Sequence, residues 1–152
     1  MAVRRGLFLL YTGDGKGKTT ASLGVTLRAI GRGLHVEYLQ FIKNPQRTYG
    51  EQLALQKAWA ITKEKLADES IDLLVLDELN NALAISKFPV DDVLPLAEVV
   101  EAIRNRPASM HLVVTGRSAK QELIDLADLV STIDATKHYY EEGIPAVKGL
   151  EF

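Results

Sequence analysis

The chain has no cysteine, so it can form no disulfide and cannot catalyse through a thiol; this fits a reducing cytoplasm, which is the expected location. It also lacks a positive excess. Eighteen Lys and Arg stand against twenty Asp and Glu, for a net charge of −2 and a pI near 5.9, which makes nucleic acid an unexpected partner. No apolar run approaches the length of a membrane span. Arg4 and Arg5 before Leu7 to Tyr11 look superficially like a signal peptide, but the apolar run is short and ends in Thr12-Gly13-Asp14, so it reads as a first strand. Repeats, linkers and low-complexity stretches are missing too. There are three histidines. His111 lies inside an apolar strand pattern and reads as a core or edge residue, while His35 and His138 have no visible carboxylate or histidine partner. No Ser–His–Asp spacing and no metal-ligand cluster stands out. What remains, 152 residues with 47% hydrophobic and 25% charged content, is the profile of one soluble globular domain over residues 1–152 with a proper core.

The most informative stretch is Gly13-Asp14-Gly15-Lys16-Gly17-Lys18-Thr19-Thr20. It lies between an apolar strand, Leu7 to Tyr11, and a helical pattern from Gly17 to about Arg32. Strand, glycine-rich turn and helix start form the context in which a phosphate loop is credible. Glycines let backbone N–H groups approach phosphate oxygens, and the first helical turn adds free N–H groups and a partial positive charge. Lys18 would reach the phosphates, and the Thr19 hydroxyl would face magnesium. The usual loop has a glycine where Thr12 stands; here the nearest is Gly13, so the loop is one residue short and carries an extra lysine, Lys16.

Further strands read at His35 to Phe41, Ile71 to Leu76, His111 to Thr115 and Leu129 to Ile133. Helices read at Glu51 to Ala67, Asn80 to Ser86, Val93 to Asn105 and Ala119 to Leu126. In the first helix Ala21, Val25, Leu27, Ala29 and Ile30 are available for packing. In the second, Leu55, Ala58, Trp59, Thr62 and Leu66 share a face, with Trp59 as a packing residue. Asp91 and Asp92 read as capping acids. A polar turn runs through Lys43-Asn44-Pro45-Gln46, and Ala135 to Phe152 is loop-like. Alternating strands and helices predict an α/β fold with a parallel sheet flanked by helices, whose ligands sit at the carboxyl ends of the strands. Four clusters fall at that edge: the glycine-rich loop, Gln40 to Lys43, Asp77-Glu78, and Thr115-Gly116-Arg117. Asp77-Glu78 closes a buried strand and could hold magnesium directly or through water. Arg117 could pair with phosphate, or with Asp125 or Asp128 in a structural ion pair. Lys43 is a phosphate contact or a solvated turn residue.

Taken in order, the loop Gly13 to Thr20, Gln40-Phe41-Ile42-Lys43, Leu76-Asp77-Glu78-Leu79-Asn80, Arg104-Asn105-Arg106-Pro107, Thr115-Gly116-Arg117 and the ending Lys148-Gly149-Leu150-Glu151-Phe152 resemble the corrinoid adenosyltransferases. The resemblance covers nearly the whole chain. It implies a RecA-like P-loop NTPase fold and a homodimer. It also implies a reaction in which the cobalt(I) of cobalamin or of cobyrinic acid a,c-diamide, supplied by a flavoprotein reductant, attacks C5′ of ATP and inorganic triphosphate departs. ATP would lie reversed relative to ordinary P-loop enzymes. Carried over by position, Gly13, Asp14, Gly15, Lys16, Gly17, Lys18, Thr19 and Thr20 bind the triphosphate, with Arg117 as a further contact. Lys18 and Mg2+ (or Mn2+) stabilise the leaving group, Thr19 and Glu78 are metal ligands, and Asp77 supports them.

One departure stands out. The family carries an aromatic Phe-Thr-Trp segment that helps form the corrinoid side of the site, whereas here Leu53-Ala54-Leu55-Gln56 runs straight into Lys57-Ala58-Trp59. Two other functions compete: a P-loop ATPase or kinase in which Glu78 activates water or a hydroxyl, and a nucleotide-binding regulatory module. On the adenosyltransferase reading, Lys18→Ala abolishes turnover far more than it unfolds the protein. A circular-dichroism melt beside an adenosylation assay checks this, and equal loss of both refutes it.

Overall fold

The structure, a computed structural model, describes residues 5–41 and 48–151. Five parallel strands, β1 (Phe8–Thr12), β2 (Val36–Gln40), β3 (Leu73–Asp77), β4 (His111–Thr115) and β5 (Leu129–Thr132), form one sheet in the order β2-β3-β4-β1-β5. The helices are α1 (Lys18–Gly31), α2 (Thr48–Leu66), α3 (Leu79–Leu83), α4 (Leu96–Arg104) and α5 (Gln121–Leu126). Strand by strand, alternate residues pack on opposite sides of the sheet. Phe8, Leu10, Leu74, Leu76, Leu112 and Val114 join the larger core with Leu55, Trp59, Leu79, Val99, Ile103 and Leu123 from α2 to α5. Leu73, Val75 and Val113 face the other way, onto Ala29 and Val25 of α1. All five residues of β3 are buried, as the apolar run Leu73 to Leu76 predicts for a strand covered on both faces.

The α2 face is as expected: Leu55, Trp59, Thr62 and Leu66 are buried and Ala58 packs against them. For α1 the expectation is corrected. Leu27 is 73% exposed and Ile30 57%, because the helix turns Ser22, Val25 and Ala29 to the sheet and leaves Leu23, Leu27 and Ile30 along its outer flank. The start of α4 also moves, from Val93 to Leu96. Val90–Asp92 forms a separate 3₁₀ turn, Pro95 precedes the helix, and the Asp91 carboxylate accepts the Leu96 N–H at 2.9 Å. Asp91 is thus a helix cap, as read from the sequence. Similarly α3 ends at Leu83, three residues early. His111 is structural: its Nδ1 accepts the Leu7 N–H at 3.1 Å. The polar turn Lys43 to Gln46 lies outside the described residues, as do Arg4 and Phe152.

The start of β1 is anchored by Asp128, whose carboxylate accepts the Phe8 N–H at 2.8 Å and the Arg5 guanidinium at 2.8 Å. The Phe8 N–H first, and then Arg5, hold this carboxyl below its ordinary pKa against the opposing effect of desolvation. A depressed carboxyl stabilises the fold above its unfolded pKa, and that contribution is lost as the pH falls through the folded value. Asp128→Ala should therefore cost about 1–2 kcal/mol at neutral pH. In urea titrations the gap from the parent protein should close as the pH drops below the ordinary carboxylate range; a gap that is constant with pH would count against this account.

Candidate active site

The carboxyl edge of the sheet brings together all four clusters read from the sequence, the second of them through Gln40, and Asp77 is where they meet. Its side chain is fully buried. It accepts the Thr19 hydroxyl at 3.0 and 3.1 Å, the Gln40 amide at 2.9 Å and the Thr115 hydroxyl at 2.5 Å. One carboxylate at the end of β3 thereby ties the start of α1 to the ends of β2 and β4. A buried anion needs such partners, because an unpaired one would be costly to desolvate. Thr115 serves twice, since its hydroxyl also accepts the Glu78 N–H at 3.0 Å.

Glu78, the next residue, is 7% exposed and takes a left-handed conformation, φ 64° and ψ 14°. For a residue with a Cβ this costs about 1–3 kcal/mol and persists only where its surroundings enforce it. Here the Thr115 bond and the immediate start of α3 do so. The side chain is thus placed on the cavity wall beside the loop. From α3, Asn80 donates to the Gly116 carbonyl at 3.0 Å and Asn81 accepts the Arg117 N–H at 2.6 Å, fixing the turn after β4.

The glycine-rich loop is held from its far side. Gly13 has φ 101°, and a Cβ there would come within 2.4 Å of the Ile133 carbonyl oxygen; only glycine allows the chain after β5 to lie so close. Gly15 donates to that same carbonyl at 2.7 Å. Gly17, with φ 116°, precedes α1, which has no side-chain cap and no acidic residue in its first turn. Its first residue is a cation instead. Lys18 is 8% exposed, and its ammonium donates to the Gly15 carbonyl at 2.6 Å. Burial above all, and then the neighbouring Arg117, push its pKa down, while Glu78 and Asp14 oppose them. A buried ammonium at an uncapped helix amino terminus, with a guanidinium nearby, is electrostatically incomplete; an anion completes it.

These groups line a cavity of about 680 Å³, within the range of small-molecule sites. Gly15 to Thr20, Glu78 and Arg117 border it, whereas Asp77 is not part of its lining. Arg117 forms no ion pair among the described residues: Asp128 pairs with Arg5, and Asp125 accepts from Gln121. Lys16 also borders the cavity, but its ammonium donates to the Leu150 carbonyl at 2.7 Å. Sequence reasoning missed the part of the lining made by His138, Gly149, Leu150 and Glu151. A segment without apolar periodicity gives no packing signal, and only the terminal Lys148-Gly149-Leu150-Glu151 pattern marked it. A smaller cavity of about 250 Å³ continues past Asn81 and Arg117 to Ile85 and Lys87. Thr115→Val keeps the shape of the side chain but strands the Glu78 N–H and removes one donor to Asp77. It should cost about 1–3 kcal/mol in urea denaturation; an unchanged midpoint would mean that the strand end is held by something else.

Comparison with known proteins shows the family. The family model described as ATP:corrinoid adenosyltransferase BtuR/CobO/CobP matches residues 4–58 and 52–152. The two pieces meet in α2, where the chain lacks the expected aromatic stretch. The corrinoid adenosyltransferase of Escherichia coli K12 is 33% identical, covering 97% of this chain and 86% of that protein. Corrinoid adenosyltransferase CobA of Salmonella typhimurium LT2 shows the same figures. The corrinoid adenosyltransferase of Pseudomonas aeruginosa is 35% identical over 97% of this chain and 84% of its own length. Among solved structures, a chain of the E. coli MS115-1 HORMA:CdnC:Trip13 complex superposes with a TM-score of 0.54 at 18% identity, covering 86% of this chain and half of that one; this likeness concerns the fold alone. With its family model matched along nearly the whole length and three relatives above 30% identity, the chain belongs to the ATP:corrinoid adenosyltransferase family.

Proposed function

We propose that this enzyme, which as a family member transfers the adenosyl group of ATP to a corrinoid, does so by gripping the triphosphate in the loop between β1 and α1 and presenting C5′ of the ribose to cobalt(I). The observation that carries the reading is the buried Lys18 at the uncapped start of α1, its pKa lowered by burial and by Arg117. On this reading the domain, residues 1–152, is a single P-loop unit of RecA-like type. The α/β sheet, the loop position and the strand-end carboxylates all support that assignment.

Cobalt(I) supplies both electrons of the new cobalt–carbon bond, the C5′–O bond breaks, and triphosphate leaves with its electron pair. Cobalt ends formally as cobalt(III). The nucleophile needs no general base. The chain's work is to hold C5′ in line, worth about 7–11 kcal/mol when orientation is good, and to neutralise the leaving group. Gly13 to Thr20 wrap the phosphates, with Lys18 and Arg117 as the charged contacts. Lys18 gives up its bond to the Gly15 carbonyl for a phosphate oxygen, and its positive form is favoured once that anion is present.

The residues fit a magnesium (or manganese) ion. Thr19 and Glu78 offer oxygen donors beside the loop. Asp77, with its oxygens already accepting from Thr19, Gln40 and Thr115, supports from behind. No group of three or more metal-binding side chains exists among the described residues. That suits a cation held by one or two protein oxygens together with substrate phosphates and water. When bound, the ion would add positive charge against the departing triphosphate. With the family reading come a homodimer, a cytoplasmic setting, a flavoprotein reductant, and cobalamin or cobyrinic acid a,c-diamide as acceptor. No helix among the described residues is long and apolar enough to cross a membrane.

A hydrolase or kinase employing Glu78 is not favoured, since the family and its relatives are adenosyltransferases. The products decide between them. Protein, magnesium ATP and chemically reduced cob(I)alamin should yield adenosylcobalamin by absorbance and inorganic triphosphate by phosphorus NMR; ADP, or orthophosphate as the primary product, would overturn the proposal.

A further inference from the structure

The part of the cavity lining contributed by the tail carries a polar group that no step above uses. After β5 the chain crosses behind the loop, where Ile133 accepts the Gly15 N–H at 2.7 Å, and returns so that Leu150 accepts the Lys16 ammonium at 2.7 Å. Between these two anchors lies His138, which borders the 680 Å³ cavity together with Lys16, Lys18 and Arg117. It also borders a second cavity of about 190 Å³ behind Lys16.

The state of its ring is set locally. His138 caps the 3₁₀ turn Tyr139–Glu142, and its Nδ1 accepts the Tyr140 N–H at 3.1 Å. The ring leans on Tyr139 with centroids 4.7 Å apart. A neutral imidazole that accepts at Nδ1 carries its proton on Nε2. With Nδ1 occupied by the Tyr140 N–H, Nε2 is the ring nitrogen left to donate. Among the described residues Nε2 has no hydrogen-bond partner.

We infer that His138 is a triphosphate-binding residue: its Nε2–H donates to a phosphate oxygen held in the cavity it borders with Lys16, Lys18 and Arg117, adding a contact from the tail of the chain to the anion cradle. This rests on the reading above that the cavity holds triphosphate. It gives the tail a purpose, since the Lys16–Leu150 bond then tethers the segment that carries the donor. Other cavity groups come from the loop, α1, Glu78 after β3, α3 and the turn after β4; His138 brings a side-chain donor from the tail.

Two substitutions separate the capping role from the binding role. In His138→Asn the amide oxygen can still cap Tyr140, but the side chain is too short to place a donor where Nε2 stands. In His138→Gln the amide nitrogen reaches that position while the cap is lost. Calorimetric titration with inorganic triphosphate, beside titration with adenosine and a thermal melt, reads both. His138→Asn should melt like the parent and bind triphosphate at least about tenfold more weakly, with adenosine unaffected; His138→Gln should bind triphosphate within a few-fold of the parent. Parent-like triphosphate binding by the asparagine variant overturns the assignment and leaves a structural cap, and so does weakened adenosine binding with triphosphate unchanged. Parent protein that binds no triphosphate overturns the assignment together with the reading of the cavity, so the two failures are told apart.

Discussion

The buried carboxylate of Asp77 is the constraint from which the site is built. It has no exposure to solvent and accepts from Thr19, Gln40 and Thr115, residues that arrive on α1, β2 and β4. Inside a protein such charge-assisted bonds are strong, and their absence would be punishing. The consequence is geometric: three elements of separate sequence origin must end at one depth. The loop between β1 and α1, the strained Glu78 and the turn at Arg117 inherit their positions from that agreement.

Strain and charge imbalance concentrate around this anchor. Glu78 is held left-handed at the strand end, Lys18 is buried at a helix start that has neither cap nor acid, and Arg117 stands close enough to lower the Lys18 pKa. Each would be unfavourable in a protein that only had to fold. On the proposed reading they serve a highly charged anion, the kind of ligand for which positioning and charge neutralisation carry the chemistry. A cobalt(I) nucleophile asks for nothing more from an acid or base.

The sheet is covered unequally. One face is packed beneath α2 to α5, while the other meets α1. α1 spends its small residues, Ser22 and Ala29, on the sheet and keeps Leu23, Leu27 and Ile30 outside. Seating this helix close to the strands brings its amino terminus, and with it Thr19, within reach of Asp77. Exposed leucines on the outer flank accompany that close seating.

Some of this was written in local sequence. The apolar runs of β1, β3 and β4, the glycines with Lys18 and Thr19 between strand and helix, and the acids closing β3 are all short-range signals. They follow from backbone freedom, periodicity and helix-end chemistry, and they were legible without coordinates. So was the packing face of α2 with Trp59. Other features depend on residues far apart in the chain. The convergence of Thr19, Gln40 and Thr115 on Asp77, the outward turn of Leu27 and Ile30, the late start of α4 and the return of the tail to place His138 beside the loop were decided by packing and by the need to satisfy buried polar groups. No window of neighbouring residues contains those contacts, so only the tertiary structure could reveal them.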